Sequence, residues 1–214
     1  MPRLYDVAGV LVRLLLFLLT DWQVKGRENV PVNGGVIVVA NHLNLADPPV
    51  LGASLGRRAV FVAKKELFRS RLLSYLIRSF GAFPVQRGEL NRQALRQADQ
   101  VLARGLALII FPEGSRSQNA RLQPALPGSA LIALRNNIPV LPVGITGTEK
   151  IRGAGWWLRR PKIVVNIGRP FHLPSVEGSL TRARRQELAD SVMSHIARLL
   201  PVEYQGNYAG GGVK

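Results

Sequence analysis

Five short apolar runs, rich in β-branched residues, recur along the chain at residues 36–40, 59–63, 107–111, 140–145 and 163–167. None alternates with polar residues. A strand with one face in water has to alternate, so unbroken runs of this length predict strands covered on both faces. Amphipathic patterns of helical period lie between them. Residues 89–104 carry Leu90, Ala94, Ala98 and Val101 on one stripe, and residues 128–137 run to Asn136 and Asn137. Residues 180–200 set Leu188, Val192, Ile196 and Leu199 on one face before Pro201 stops the pattern. Strands alternating with helices predict an α/β fold with a largely parallel central sheet flanked by helices. The 214 residues suffice for a single domain with a sizeable core. It is expected over residues 23–203, between an N-terminal segment (1–22) and a flexible, glycine-rich tail (204–214).

That N-terminal segment contains VAGVLVRLLLFLL at residues 7–19. The run is short for a bilayer span and is interrupted by Arg13. No small-residue cleavage site follows, as a secretory signal would require. Two readings remain, a buried core helix or a helix lying in a membrane interface. The bunching of Leu14 to Leu19, with Arg13 able to snorkel and Trp22 just beyond, favours the interface.

Charge points the same way. Lys and Arg total 29 against 13 Asp and Glu, giving +16. Such a field attracts nucleic acid or an anionic membrane surface. Zinc-finger spacing, an aromatic RNA-binding signature and a basic-zipper pattern are all missing, so nucleic-acid binding rests on charge alone. The basic residues instead lie beside apolar and aromatic ones. Residues 64–80 read as a basic amphipathic helix, and Trp156-Trp157-Leu158-Arg159-Arg160-Pro161-Lys162 reads as an interfacial anchor. Each also has a plain alternative, as a helix packed on the sheet or a loop whose tryptophans turn inward. The chain has no cysteine, which excludes disulfides and thiolate metal sites, and its three scattered histidines make no ligand cluster. No metal and no cofactor are expected.

The strongest chemical signal follows the first apolar run: Asn41-His42-Leu43-Asn44-Leu45-Ala46-Asp47-Pro48-Pro49. Strand ends of this kind open onto the crevice where open α/β sheets bind ligands. The two prolines suit the first turn of a helix with Asp47 at its N-cap. The intervening turn can bring the Asp47 carboxylate to the imidazole, fixing the tautomer so that Nε2 is free as a base. A plain cap for Asp47 and a structural role for His42 are the alternatives. A second run, Phe111-Pro112-Glu113-Gly114-Ser115-Arg116-Ser117, also follows a buried strand. Gly114 permits close backbone approach, and Arg116 can fork onto phosphate oxygens. Arg87 stands between a short strand and the next helix, Pro139 immediately precedes the fourth apolar run, and Pro142 sits in it.

Together these runs resemble the four ordered blocks of the glycerolipid acyltransferase family, the group that includes 1-acyl-glycerol-3-phosphate acyltransferase. Asn41, His42 and Asp47 match its His-x4-Asp block, and Arg87 matches the arginine of the second. Residues 111–117 match Phe-Pro-Glu-Gly-x-Arg-Ser, with Ser115 at the variable position. Pro139 and Pro142 match the proline-bearing strand, and the likeness extends over residues 20–170. One departure stands out: where many members carry Phe-Lys-x-Gly, this chain has Pro124-Ala125-Leu126-Pro127-Gly128, without the lysine.

The resemblance implies acyl transfer from acyl-CoA or acyl carrier protein to a hydroxyl of a lysophosphatidic-acid-like acceptor, and the apolar and basic segments at 7–19, 64–80 and 156–162 predict a peripheral or monotopic seat on the cytoplasmic face of the cell membrane. A lysophospholipid with a different headgroup is the alternative acceptor. A lipid hydrolase activating water with the same pair is a further rival. The resemblance makes His42 and Asp47 the catalytic pair. It assigns Asn41, Arg87, Glu113, Gly114, Ser115 and Arg116 to substrate, with the two arginines on the acceptor phosphate. Glu113 has two open roles, binding glycerol hydroxyls or bracing an arginine. Backbone amides near Gly114 or after Pro84 are candidate oxyanion donors, and His172 and His195 are expected to be structural.

Overall fold

The computed structural model describes residues 2–64, 68–70, 74–75, 82–85, 92–174 and 181–211. The chain opens with helix α1 (Pro2–Leu19) and strand β1 (Asp21–Lys25). There follow β2 (Val36–Ala40), α2 (Asp47–Leu55), β3 (Ala59–Lys64), β4 (Phe83–Val85), α3 (Arg92–Ala103) and β5 (Ala107–Ile110). The second half holds α4 (Gly128–Asn136), β6 (Val140–Thr146), β7 (Lys162–Ile167), α5 (Arg182–Ala197) and the short α6 (Val202–Gln205).

The described strands form one seven-stranded sheet in the order β1-β7-β6-β2-β5-β3-β4. Every ladder is parallel except β6–β7, so β1 and β7 run against the other five strands. The largely parallel sheet expected from the apolar runs is present. The parallel strand β1, on the edge beside β7, was not expected.

Strand β2 shows why its sequence could not alternate. Ile37 and Val39 enter one core with Leu108 and Ile110 of β5, beneath Ala98 and Leu102 of α3 and Leu188, Val192, Met193 and Ile196 of α5. Val36, Val38 and Ala40 enter the opposite core with Leu141, Val143 and Ile145 of β6, beneath Val50, Leu51 and Leu55 of α2. Both faces of the strand are dry, so both sets of side chains must be apolar.

Helix ends agree with their local chemistry. The Thr181 hydroxyl caps α5 by accepting from Arg184 N–H, and Asn137 closes α4 in the left-handed region at φ 47°. At α2 the prolines take the first turn as expected, but Ala46 and not Asp47 occupies the N-cap position. Asp47 is turned back to the preceding loop instead. The basic helix expected over 64–80 falls mostly outside the described residues.

The two end segments pack differently from each other. Helix α1 seats Leu16 in the core beside α2, and Arg13 Nε donates to the Ala53 carbonyl at 3.3 Å. Its other face leaves Val7, Val10, Leu11, Leu14, Leu15, Phe17 and Leu18 exposed, Phe17 by 71%. Among the described residues no helix is long and apolar enough to cross a membrane. At the other end, residues 206–211 of the expected loose tail are packed down. Tyr208 is buried in the α5 core, and its hydroxyl donates to Asp190 Oδ1 at 2.8 Å. One aromatic ring outweighs the glycines around it. Tyr208→Ala is therefore expected to lower the unfolding free energy by about 3 kcal/mol, the usual scale for emptying a buried aromatic site, measured by urea denaturation.

Candidate active site

The site forms where β2 ends. The carboxylate of Asp47 is fully buried, and its Oδ2 lies 2.8 Å from His42 Nδ1. The same oxygen accepts the main-chain N–H groups of Leu43 at 2.6 Å and Asn44 at 2.7 Å. An ionised carboxylate can only accept, so Nδ1 carries the ring proton and Nε2 keeps its lone pair. The His42 side chain is 15% exposed, enough to reach a reactant.

The turn after β5 closes on the same histidine. The Phe111 ring stacks on the imidazole, with centroids 4.2 Å apart and planes inclined by 22°. Glu113 Oε1 accepts the His42 main-chain N–H at 2.8 Å, and Ser117 N–H donates to the His42 carbonyl at 2.7 Å. The second oxygen of Glu113 accepts Gln123 N–H at 2.9 Å. Burial pushes the Glu113 carboxyl up to about 7, against the two N–H bonds that lower it and with Asp47 adding to the rise. The stacking Phe111 and the Ser117 amide belong to a run the sequence singles out. Their grip on His42 is invisible until β2 and β5 are seen as neighbours.

The residues expected to contact substrate divide. Asn41 is spent on structure: its Oδ1 accepts Ile145 N–H at 2.7 Å and its Nδ2 donates to the Ile145 carbonyl at 2.8 Å, in a buried setting. Gly114 takes φ +65°, the turn geometry that favours glycine, and its N–H donates to the Phe111 carbonyl at 3.0 Å. That amide is engaged within the turn. Ser115 is half-buried, and Arg116 is exposed with no ion-pair partner among the described residues. Arg87 and the amides just beyond Val85 lie outside the described residues. His195 is structural as expected, its ring stacked on Phe171 with centroids 3.7 Å apart and Nδ1 2.9 Å from the Ser191 carbonyl.

The arrangement presents a partly exposed imidazole braced by a buried carboxylate, with the exposed Arg116 nearby in sequence. The acyltransferase family model matches residues 21–146, which span both the His42 loop and the Glu113 turn. The chain is 28% identical over 199 residues to the 1-acyl-sn-glycerol-3-phosphate acyltransferase of Streptococcus pneumoniae, covering 89% of this chain and 69% of that one. It is 26% identical to the enzyme of the same name from Bacillus subtilis, covering 87% and 96%. Among solved structures, the 1-acyl-sn-glycerophosphate (LPA) acyltransferase PlsC of Thermotoga maritima superposes with a TM-score of 0.67 at 27% identity. The match covers 91% of this chain and 79% of that one.

Asn41 ties the end of β2 to β6 through two buried main-chain groups. Asn41→Ala would leave both unpaired and is expected to lower stability by about 2 kcal/mol, read from chemical denaturation.

Proposed function

The chain belongs to the acyltransferase family, and from that premise we propose that it moves a fatty acyl group from an acyl thioester onto the free hydroxyl of a lysophosphatidic-acid-like acceptor, with His42 as general base. The observation that carries this reading is the 2.8 Å contact between His42 Nδ1 and the buried Asp47 carboxylate. It leaves Nε2 as the proton acceptor. The acceptor hydroxyl gives its proton to Nε2 as its oxygen attacks the thioester carbonyl. The imidazolium that forms is stabilised by Asp47. Collapse of the tetrahedral intermediate breaks the C–S bond, and the proton passes from Nε2 to the departing thiolate. The donor is an acyl-CoA or an acyl carrier protein thioester. Arg116, exposed beside the turn, and Arg87 hold the acceptor phosphate as forked donors. The relatives' names, which specify the 1-acyl-glycerol-3-phosphate acceptor, support this choice.

His42→Ala is expected to lower transfer at least ~100-fold, the lower end of what a positioned general base contributes. The assay follows lysophosphatidic acid and acyl-CoA to product by mass, in detergent or lipid. Near-parental transfer by folded His42→Ala would remove the base assignment. Release of free fatty acid without diacyl product would favour the hydrolase.

The reading also includes a seat on the cytoplasmic face of the cell membrane. Helix α1 carries the exposed apolar face already described. The turn at Trp156–Arg159 adds Trp157 and Leu158, the latter 81% exposed. Arg160 Nη2 donates to the Phe17 carbonyl at 3.3 Å, which sets this turn against the C-terminal end of α1. Two apolar features distant in sequence thus meet on one surface, with Arg159, Arg160 and Lys162 beside them. Apolar contact to the bilayer persists when salt screens the charges. Phe17→Asp combined with Leu158→Asp is expected to weaken binding to phosphatidylglycerol-containing vesicles at least ~10-fold, since each buried side chain is worth about 1.5–3 kcal/mol. Vesicle co-sedimentation in low and high salt checks this. Parental protein that washes off in salt alone would sink the membrane seat.

A further inference from the structure

Glu113 is the one carboxylate in the turn over residues 111–117 after β5, and both of its oxygens face main-chain donors. Its oxygens accept the main-chain N–H groups of His42 at 2.8 Å and of Gln123 at 2.9 Å. The residue is only 6% exposed. A carboxylate is the side chain that accepts at both oxygens and donates at neither. Glutamine at this position would turn an NH₂ toward one of the two N–H groups. The side chain's chemistry therefore matches two inward donors, and its burial leaves little surface for a glycerol hydroxyl to reach.

What Glu113 holds is the residue that carries the base. The His42 N–H is bound by Glu113, its carbonyl by Ser117 N–H at 2.7 Å, and its ring by Phe111 at 4.2 Å. The side chain itself is directed by Asp47 at 2.8 Å. With the backbone and the ring both fixed, Nε2 has one direction left to face. We infer that Glu113 is a positioning residue for His42, locking the backbone from which the imidazole projects and making no contact with the acceptor lipid. This rests on the general-base reading of His42. Burial raises the Glu113 carboxyl to about 7, while the N–H bonds from His42 and Gln123 favour the ionised form that accepts at both oxygens.

The test is a double-substitution cycle on the full chain, with lysophosphatidic acid and acyl-CoA as substrates. The four proteins are the parent, Glu113→Gln, His42→Ala and the pair, each checked for folding by circular dichroism. Glu113→Gln is expected to lower kcat roughly 10- to 100-fold, the scale of a slightly misplaced catalytic group, with the acceptor KM within about twofold of the parent. In the His42→Ala background, where residual transfer is read at high enzyme concentration with labelled donor, Glu113→Gln should cost less than about threefold more. A loss of folded protein would reduce both backgrounds alike, so this collapse separates positioning from mere stability. An acceptor KM that rises while kcat holds, or an equal loss in both backgrounds, would overturn the positioning role. Near-parental transfer by His42→Ala would instead remove the general-base reading itself. If Glu113→Gln does not fold, Glu113→Asp keeps the charge but is one methylene too short to reach both N–H groups. It enters the same cycle under the same criteria.

Discussion

One oxygen atom, Oδ2 of Asp47, accepts the ring Nδ1–H of His42 and the main-chain N–H groups of Leu43 and Asn44. The loop after β2 is wound around that atom. Each N–H satisfied there is a donor that would otherwise be left in a largely buried turn, at a cost of about 1–3 kcal/mol. The same three bonds fix which ring nitrogen holds the proton. They also start α2 at the right place, because Pro48 and Pro49 can enter the first helical turn without missing their absent N–H groups. The chemistry and the fold thus share an anchor, and a change at Asp47 acts on both.

The partners of this loop come from neighbouring strands. β5 and β6 flank β2 in parallel, so the segments that leave all three emerge at the same edge of the sheet. From the β5 side come Phe111, Glu113 and Ser117. From the β6 side come the main-chain groups of Ile145 and Ile151, bound by Asn41 and Asn44. Residues up to 107 apart in the chain are therefore hydrogen-bonded at the site. Parallel strands require crossover connections, and these crossovers are what bring distant turns together.

This pattern also explains what the sequence disclosed and what it withheld. The strands at 36–40, 107–111 and 140–145 were legible because two dry faces forbid polar residues. His42 and Asp47 were legible as a pair because a five-residue spacing across one turn needs no knowledge of the rest of the fold. The bonds that Asn41 and Glu113 make were not legible, because both bind main-chain groups. A main-chain N–H or carbonyl leaves no residue-type signal. β1, with Asp21, Gln23 and Lys25 in five residues, carries no buried run, and only its pairing with β7 reveals it. The packed end around Tyr208 was hidden in the same way. Its glycines suggest a loose tail, and its anchor is Asp190, eighteen residues away on α5.

The surplus of positive charge has a double use. Arg57 is consumed internally, donating to the carbonyls of Pro31, Gly34 and Gly105, while Arg58, Arg135 and Arg184 are paired with Asp6, Asp99 and Glu187. Arg160 stands instead against Phe17, with Trp157 and Leu158 exposed in the same turn, a mixture that suits the proposed lipid surface better than nucleic acid. The connection to the chemistry is short. α1 rests on α2, Arg13 is bonded to the Ala53 carbonyl near the end of α2, and α2 begins at Asp47. If α1 lies in a bilayer interface, one helix fixes the distance from that interface to the base. An acceptor whose chain stays in lipid and whose hydroxyl must reach Nε2 requires such a fixed offset. The alternative, withdrawing the chain into water, would cost about 0.8 kcal/mol for each methylene exposed.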